Sequence, residues 1–224
     1  MGVGASSVLS HDSTSYPSKD ELQHWASLLS TELADNVIPF WLEHSIDQIN
    51  GGFYNCLGRN GERYSTEKHV WLQGRQVYMM AKLSNEQNNG SCPWSQYGSR
   101  LFVAAQIGSN FLRKHIQGQD GEYYFCLAED GRPCRRQRKI FSAAFYCMGL
   151  SELALACRER KQDAEALELQ GQALEVFEDI LAAAANPSKI GVPEALPGAP
   201  NLVPLNAPMI LLNIIVELRQ STGS

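Results

Sequence analysis

An internal repeat with a period of 70 residues constrains the fold of this chain more than any other feature. Residues 52–57 (Gly-Phe-Tyr-Asn-Cys-Leu) resemble residues 122–127 (Glu-Tyr-Tyr-Phe-Cys-Leu), and each block is followed four positions later by a glycine, Gly61 or Gly131. The dipeptides Asn-Gly and Asp-Gly at these points tolerate the positive φ angles of a tight turn. Each repeat is therefore predicted to contain a short β-hairpin, and the chain to be built from successive copies of one supersecondary unit.

Each hairpin block leads into an apolar segment. Val70 opens the first segment, Ile140 opens the second one 70 residues later, and a third begins near Met209. The stretch ahead of the third segment, residues 186–208, is rich in proline and shows no clear hairpin pattern. The third copy of the repeat is therefore the weakest.

Two kinds of helical segment alternate along the chain. Segments with an apolar stripe and a charged face, typical of helices at a protein surface, are 19–44, 96–115 and 162–185. Segments that are apolar on nearly every side, and so are expected to be buried, are 70–83, 141–157 and 208–218. This alternation predicts an all-α fold with two concentric layers: a partial (α/α)6 toroid of three helix pairs with short β-hairpins. An open α-solenoid is the competing architecture.

The first amphipathic segment carries start and break signals. Ser18 and Glu21 have the spacing of a capping box, whereas Pro39 removes a backbone donor and is expected to kink or break the helix. We therefore expect a leader over residues 1–17, one helical domain over 18–220 and a short tail over 221–224. The start of the leader fits a myristoylation pattern at Gly2, but no polybasic stretch follows it.

Composition narrows the classes of function. The net charge of −5 argues against a general nucleic-acid role, which usually requires a basic surface. A basic cluster at 132–139 is interpreted as a solvated loop, with a local anion contact as the alternative. The apolar runs are too short and interrupted for a membrane span. The six cysteines form no CxxC pair and no histidines stand at zinc-ligand spacing, so no metal site is expected. The cysteines are expected to be reduced thiols, and the protein to be cytoplasmic.

Arg75 is the most unusual side chain in the buried segments, since a guanidinium on an apolar helix is costly to bury alone. It either forms a salt bridge with a nearby acid such as Glu43 or Glu67, or directs its planar fork at ligand oxygens. Trp71, four residues earlier, either packs in the core or stacks on the face of a sugar. The sequence leaves both pairs of alternatives open.

Several motifs taken together resemble the N-acylglucosamine 2-epimerase (renin-binding protein) family. One of them is Val-Trp-Leu-Gln-Gly-Arg-Gln-Val at residues 70–77, and the match as a whole is far more specific than any single motif. Motifs similar in order and spacing lie at 40–53, 130–133, 137–142 and 208–213. The resemblance covers roughly residues 20–218, and it corresponds to the N-terminal half of such an enzyme.

The resemblance implies an (α/α)6 barrel that interconverts N-acetylglucosamine and N-acetylmannosamine in amino-sugar and sialic acid metabolism. The reaction moves the proton at C2, next to the carbonyl of the opened sugar, which requires a base, an acid and stabilisation of the enolate oxygen. In the family the two catalytic histidines lie in the C-terminal half. No catalytic residue is therefore assigned here, and this chain alone is expected to be inactive.

The resemblance also implies binding residues and partners. It places Arg75 in the sugar pocket and, less directly, Trp71, Tyr146 and Asn213 near it. It implies no resident cofactor, ATP as an activator, a homodimer and binding to renin. The sequence departs from the family at Ala143, where relatives commonly carry a glutamate after Phe-Ser.

Alternative functions remain at this point. A truncated, non-catalytic paralogue or interaction protein would fit half a ring, because the apolar faces left open favour association. A glycosidase or lyase on a similar toroid would need two placed carboxylates, for which Glu43 and Asp47 are the candidates. Among the histidines, only His69 is expected near the pocket rim.

Overall fold

The computed structural model describes residues 16–86, 92–137, 139–186, 197–198 and 205–223. Within these ranges, no helix combines the length and the apolar character needed to cross a bilayer.

The first amphipathic segment forms two helices joined by a wide turn. Helix α1 (Lys19–Glu32) begins at the capping box that the sequence predicted, with Ser18 and Glu21 hydrogen-bonded to each other's backbone. A five-residue π-helical turn (Leu33–Val37) follows, and α2 (Ile38–His44) carries Pro39 at its start. The break expected at Pro39 is confirmed, since the regular hydrogen-bond pattern is interrupted just ahead of the proline.

The other predicted helical segments are also helices. In chain order they are α3 (Val70–Glu86), α4 (Gly98–His115), α5 (Phe141–Glu159), α6 (Asp163–Ala184) and α7 (Asn206–Thr222). A short 3₁₀ turn, Ser95–Tyr97, precedes α4.

Both predicted hairpins are present. Strands β1 (Cys56–Leu57) and β2 (Arg63–Ser65) pair antiparallel, and so do β4 (Tyr124–Leu127) and β5 (Pro133–Arg136). The turn glycines Gly61 and Gly131 have φ angles of +85° and +89°, as the dipeptide pattern required. The sequence did not predict β3 (Lys68–His69), which pairs with β4 and so joins the first repeat to the second hairpin.

The helices form the two layers expected of a partial (α/α)6 toroid. Helices α3, α5 and α7 lie side by side in the inner layer, α4 packs on α3 and α5, and α6 packs on α5 and α7. Helix α5 is the centre of this layer, with 14 of its 19 residues buried. Its neighbour α3 approaches closely because Gly74 has no side chain: a Cβ there would lie 2.7 Å from the backbone of Tyr146.

The two ends of the half ring are open. Helix α1 has no buried residue, and the stripe expected to pack inward is exposed: Leu22, Trp25 and Leu29 are each more than half accessible. At the opposite end, α7 buries Ile210 and Ile214 but exposes apolar side chains on its other face. Exposed apolar faces were predicted for the inner helices, and α7 confirms this. The exposed apolar stripe of α1 was not predicted; none of the residues of this helix is buried against another part of the described chain.

The repeat also explains two histidines. His44 and His115 end the outer helices α2 and α4, and each imidazole lies beneath a hairpin-turn glycine, Gly61 or Gly131, where a Cβ would collide with the ring. Each imidazole also contacts a phenylalanine one turn earlier, at 4.9 Å between ring centroids. Both histidines therefore support the hairpins structurally.

Candidate functional site

The N-terminal ends of α3 and α5 form a cavity of about 280 Å³, here termed the aromatic groove. Trp71 enters it from the first turn of α3, and its ring centroid lies 6.1 Å from that of Phe145 on α5. Residues spaced by four share one face of a helix, so Phe141 and Phe145 both line the groove. The full lining is Trp71, Phe125, Gln137, Lys139, Phe141, Ser142 and Phe145.

Arg75 stands one helical turn after Trp71. Its guanidinium carbon lies 5.9 Å from the centroid of the Phe145 ring, and the side chain is exposed. Across the described part of the chain it makes no ion pair. The predicted alternative of a salt bridge to Glu43 or Glu67 is wrong, since Glu67 pairs with Arg135 instead. The guanidinium therefore keeps its donors available near the Phe145 ring, although Arg75 itself is not part of the groove lining.

Arg75 also borders a second cavity, of about 300 Å³, between the π-helical turn, α2 and α3. Its walls are mainly apolar, including Val37, Trp41, Met79 and Leu83. Apart from Asn55, Gln76 and Arg75, its walls offer a polar sugar few groups to replace the hydrogen bonds that it makes with water. The aromatic groove, which adds Ser142, Gln137 and Lys139 to its aromatic rings, suits a sugar better.

Comparison with known proteins identifies the family. The family model described as N-acylglucosamine 2-epimerase (GlcNAc 2-epimerase) matches residues 52–223. The N-acylglucosamine 2-epimerases of Bos taurus and Homo sapiens are 38% and 37% identical to this chain over 206 residues, which is 91% of it. This chain belongs to the N-acylglucosamine 2-epimerase family.

Solved structures confirm the toroidal architecture. A cellobiose 2-epimerase from Spirochaeta thermophila superposes with a TM-score of 0.67 at 22% identity, covering 92% of this chain and 51% of that one. A D-mannose isomerase superposes with a TM-score of 0.62 at 19% identity, covering 94% of this chain and 49% of that one. The chain thus spans about half the length of these structures, and 45% of the bovine and human relatives.

Of the four binding residues expected from the epimerase family, the structure brings two together. Trp71 and Arg75 both lie near the Phe145 ring, but only Trp71 lines the aromatic groove, whereas Arg75 lines the neighbouring apolar cavity. Tyr146 is buried on another side of α5, because successive residues of a helix are rotated by about 100° around its axis. It lines a different cavity, together with Arg113 on α4 and Gln172 on α6. Burial raises the pKa of the Tyr146 hydroxyl.

Asn213 is exposed on α7, on the same open face as Leu212, and its amide donates a hydrogen bond to the carbonyl oxygen of Met209 at 2.9 Å. Neither Tyr146 nor Asn213 lines the aromatic groove.

Ala143, the departure from the epimerase pattern, also lies away from the groove. It is buried and borders a small cavity of about 130 Å³ with Tyr123 and Asp179. The Tyr123 hydroxyl donates a hydrogen bond to Asp179 at 2.9 Å. The position at which the resemblance led us to expect a glutamate therefore faces the outer layer, and Ala143 is not part of the groove lining.

The histidines that the structure describes do not line the groove. His24 is exposed on α1, and His44 and His115 support the hairpins. Burial lowers the pKa of His115, and the positive charges of Lys114 and Lys68 lower it further. His69, on β3, packs edge-on against Phe125, a groove residue, at 5.6 Å between ring centroids. His11 lies outside the described residues.

The two carboxylates of the glycosidase alternative do not form a pair of acids. The Asp47 carboxylate is fully buried and holds the Lys68 ammonium at 2.7 Å, while Glu43 is exposed on α2. Asp47 is therefore a structural group, and the alternative loses one of its two candidates.

Sequence reasoning missed Phe125, Phe145 and Lys139 as groove residues. The spacing of four between Phe141 and Phe145 was a usable signal, because it places both rings on one face of α5. No local pattern pointed to Phe125, which reaches the groove through the pairing of β3 with β4.

Proposed function

We propose that this chain supplies the sugar-binding wall of a 2-epimerase that acts on N-acylated amino sugars. One observation carries the proposal: an exposed guanidinium without an ion-pair partner, that of Arg75, lies 5.9 Å from the ring of Phe145, which lines the aromatic groove together with Trp71. The substrate class comes from the bovine and human relatives, which are N-acylglucosamine 2-epimerases.

The groove offers the two kinds of contact that a pyranose or opened sugar needs. The faces of Trp71 and Phe145 provide apolar surface for the C–H side of the sugar. The Arg75 fork and the Ser142 hydroxyl provide donors for its oxygens. Arg75 is also suited to an oxygen that gains negative charge, because hydrogen bonds from charged donors are the stronger ones.

Epimerisation at C2 needs proton removal on one face of the carbon and delivery on the other. Within the described residues no histidine lines the groove, so the wall positions the sugar and stabilises charge but does not move the proton. We place the acid and the base in the part of the family enzymes that this chain does not cover. By itself, the chain should bind a sugar without converting it.

Exchange at C2 in deuterated water tests this division of roles. N-acetylmannosamine incubated with the purified chain should keep its H2 signal in the proton NMR spectrum. A hybrid in which this chain replaces the matching part of the bovine relative should exchange H2 and form N-acetylglucosamine. In that hybrid, Arg75→Ala should lower kcat/KM by roughly 10- to 100-fold, the worth of one hydrogen bond to a charged group.

Two outcomes would contradict the proposal. H2 exchange by the chain alone would show that it holds its own acid and base. An active hybrid whose kcat/KM is unchanged by Arg75→Ala would show that Arg75 and the neighbouring groove do not bind the substrate.

Association is a second candidate function, favoured by the open ends of the half ring. Met209, Leu212 and Val216 form an exposed apolar face on α7, and Leu22, Trp25 and Leu29 form another on α1. Surfaces of this kind usually mark contacts with another chain or with another part of the same assembly. Light scattering should therefore show oligomers, and a monodisperse monomer with a cooperative thermal transition would contradict association.

A further inference from the structure

Three side chains with metal-binding atoms converge beside the three-stranded sheet. His69 on β3 and Cys126 on β4 are direct partners in the antiparallel pairing, which places their side chains on one face of the sheet. Glu67 lies one residue before β3. One carboxylate oxygen of Glu67, one imidazole nitrogen of His69 and the Cys126 sulfur all lie within 4.8 Å of one another.

The donor set is that of zinc, which binds carboxylate oxygen, imidazole nitrogen and thiolate sulfur. Zinc–ligand bonds of about 2.0–2.3 Å place the atoms of a tetrahedral ligand set roughly 3–4 Å apart. Side-chain rotations that bring the three ligand atoms closer together by about 1 Å would therefore allow all three to bind one zinc ion. The His69 ring is already held in position by its edge-on contact with Phe125. Its Nδ1 is buried and has no hydrogen-bond partner, an arrangement that costs free energy unless something binds there.

We infer that Glu67, His69 and Cys126 bind a zinc ion through three protein ligands, with a fourth position left for water. Cys126 binds as the thiolate, and its proton passes to the solvent. The site is distinct from the aromatic groove and does not depend on the proposed function. It differs from the expectation drawn from the sequence, because strand pairing, and not linear spacing, brings Cys126 to His69.

Arg135 stands in for the cation when no metal is bound. It is the partner of Cys126 in the β4–β5 pairing; its guanidinium donates to the Glu67 carboxylate and lies 3.6 Å from the Cys126 sulfur. Half of the Arg135 side chain is exposed, so it can turn into the solvent at small cost, since surface ion pairs contribute little to stability. Zinc would replace this positive charge between the same two ligands.

The binding measurement uses the chain without a polyhistidine tag. Competition with a chromogenic zinc chelator should show one equivalent of bound zinc, and cobalt(II) should give the thiolate charge-transfer absorption. Cys126→Ser and His69→Ala should each weaken zinc binding by more than the roughly 10- to 100-fold that loss of an outer-shell partner costs. Cys134→Ser is the matched control, since Cys134 is an exposed thiol on the neighbouring strand. Arg135→Ala should tighten binding, because it removes the competing cation.

The inference is overturned if the chain binds no zinc, or if Cys126→Ser binds it as tightly as the unchanged chain. It is also overturned if Cys134→Ser, and not Cys126→Ser, abolishes the cobalt absorption. Because Cys126 is fully buried and its replacement could prevent folding, circular dichroism accompanies each variant. If Cys126→Ser is unfolded, His69→Ala and Arg135→Ala decide the outcome: unchanged zinc affinity in both contradicts the site.

Discussion

The ammonium group of Lys68 lies 2.7 Å from the carboxylate of Asp47, and neither side chain is accessible to solvent. The same ammonium donates hydrogen bonds to the carbonyl oxygens of Gly51 and Glu129, so it ties the turn that follows α2 to the turn of the second hairpin. This contact joins the two repeats through charge, and the sequence pattern gave no sign of it.

Removing the charge of Asp47 should therefore destabilise the protein strongly. Asp47→Asn leaves the buried Lys68 ammonium without its counter-ion, and we expect a loss of about 3 kcal/mol in the free energy of unfolding, measured by urea denaturation. Asp130→Asn is the control, since its ion pair with Arg132 is exposed to solvent and should contribute little to stability. Equal losses in the two variants would contradict a structural role for the buried pair.

Asp47 should also contribute to acid unfolding. Burial opposes its ionisation, but hydrogen bonds from the Asn50 backbone, the Lys68 ammonium and the Ile49 backbone outweigh burial and lower its pKa to about 2. A carboxylate whose pKa is depressed in the folded state stabilises the fold above its unfolded pKa. This contribution should be lost as the pH falls from about 4 towards about 2. Urea denaturation at a series of pH values should show a shallower loss for Asp47→Asn, and identical pH profiles would refute this role.

Two helix glycines should respond to alanine with opposite signs. A Cβ at Gly74 would lie 2.7 Å from the Tyr146 backbone nitrogen, whereas a Cβ at Gly171 on α6 meets no atom within 4 Å. Alanine favours a helix over glycine by about 1 kcal/mol, so Gly171→Ala should stabilise. Gly74→Ala should destabilise, because α3 and α5 must separate, by about 1–3 kcal/mol. Thermal melts of both variants give the comparison, and stabilisation by Gly74→Ala would show that the two helices are not in close contact.

The contact between a hairpin turn and its histidine can be isolated with another pair of glycines. Gly131 and Gly121 both have positive φ, but only at Gly131 would a Cβ collide with a side chain, the His115 ring. Both alanine variants carry the backbone cost of positive φ, about 1–2 kcal/mol. Gly131→Ala should therefore lose at least about 1 kcal/mol more stability than Gly121→Ala, and His115→Ala in the same chain should relieve this difference. Indistinguishable unfolding curves for the two glycine variants would argue against the contact.

The sequence predicted the fold better than the site. Periodicity located every helical pair, and the Asn-Gly and Asp-Gly turns located both hairpins, because these signals depend on neighbours in the chain. The pairing of Lys68 and His69 with Leu127 and Cys126 joins segments nearly 60 residues apart, and no local pattern encodes it. For the same reason Phe125 was missed.

The four expected binding residues illustrate the same limit. The family motif placed Arg75 and Trp71 one turn apart on the same helix, as the structure has them, and their contact with a sugar stays a prediction. Tyr146 was placed in an inner helix correctly, but its direction depends on a rotation of one residue about the axis of α5. Asn213 lies at the open end of the half ring, where the described residues offer no opposing wall.

Binding of N-acetylmannosamine to the purified chain, followed by saturation-transfer NMR, tests the central claim most directly. We expect transfer from the protein to the sugar ring protons, lost in Arg75→Ala and in Trp71→Ala and retained in Asn213→Ala, with all three variants folded by circular dichroism. Transfer that survives both Arg75→Ala and Trp71→Ala, or that disappears only in Asn213→Ala, would contradict the central claim.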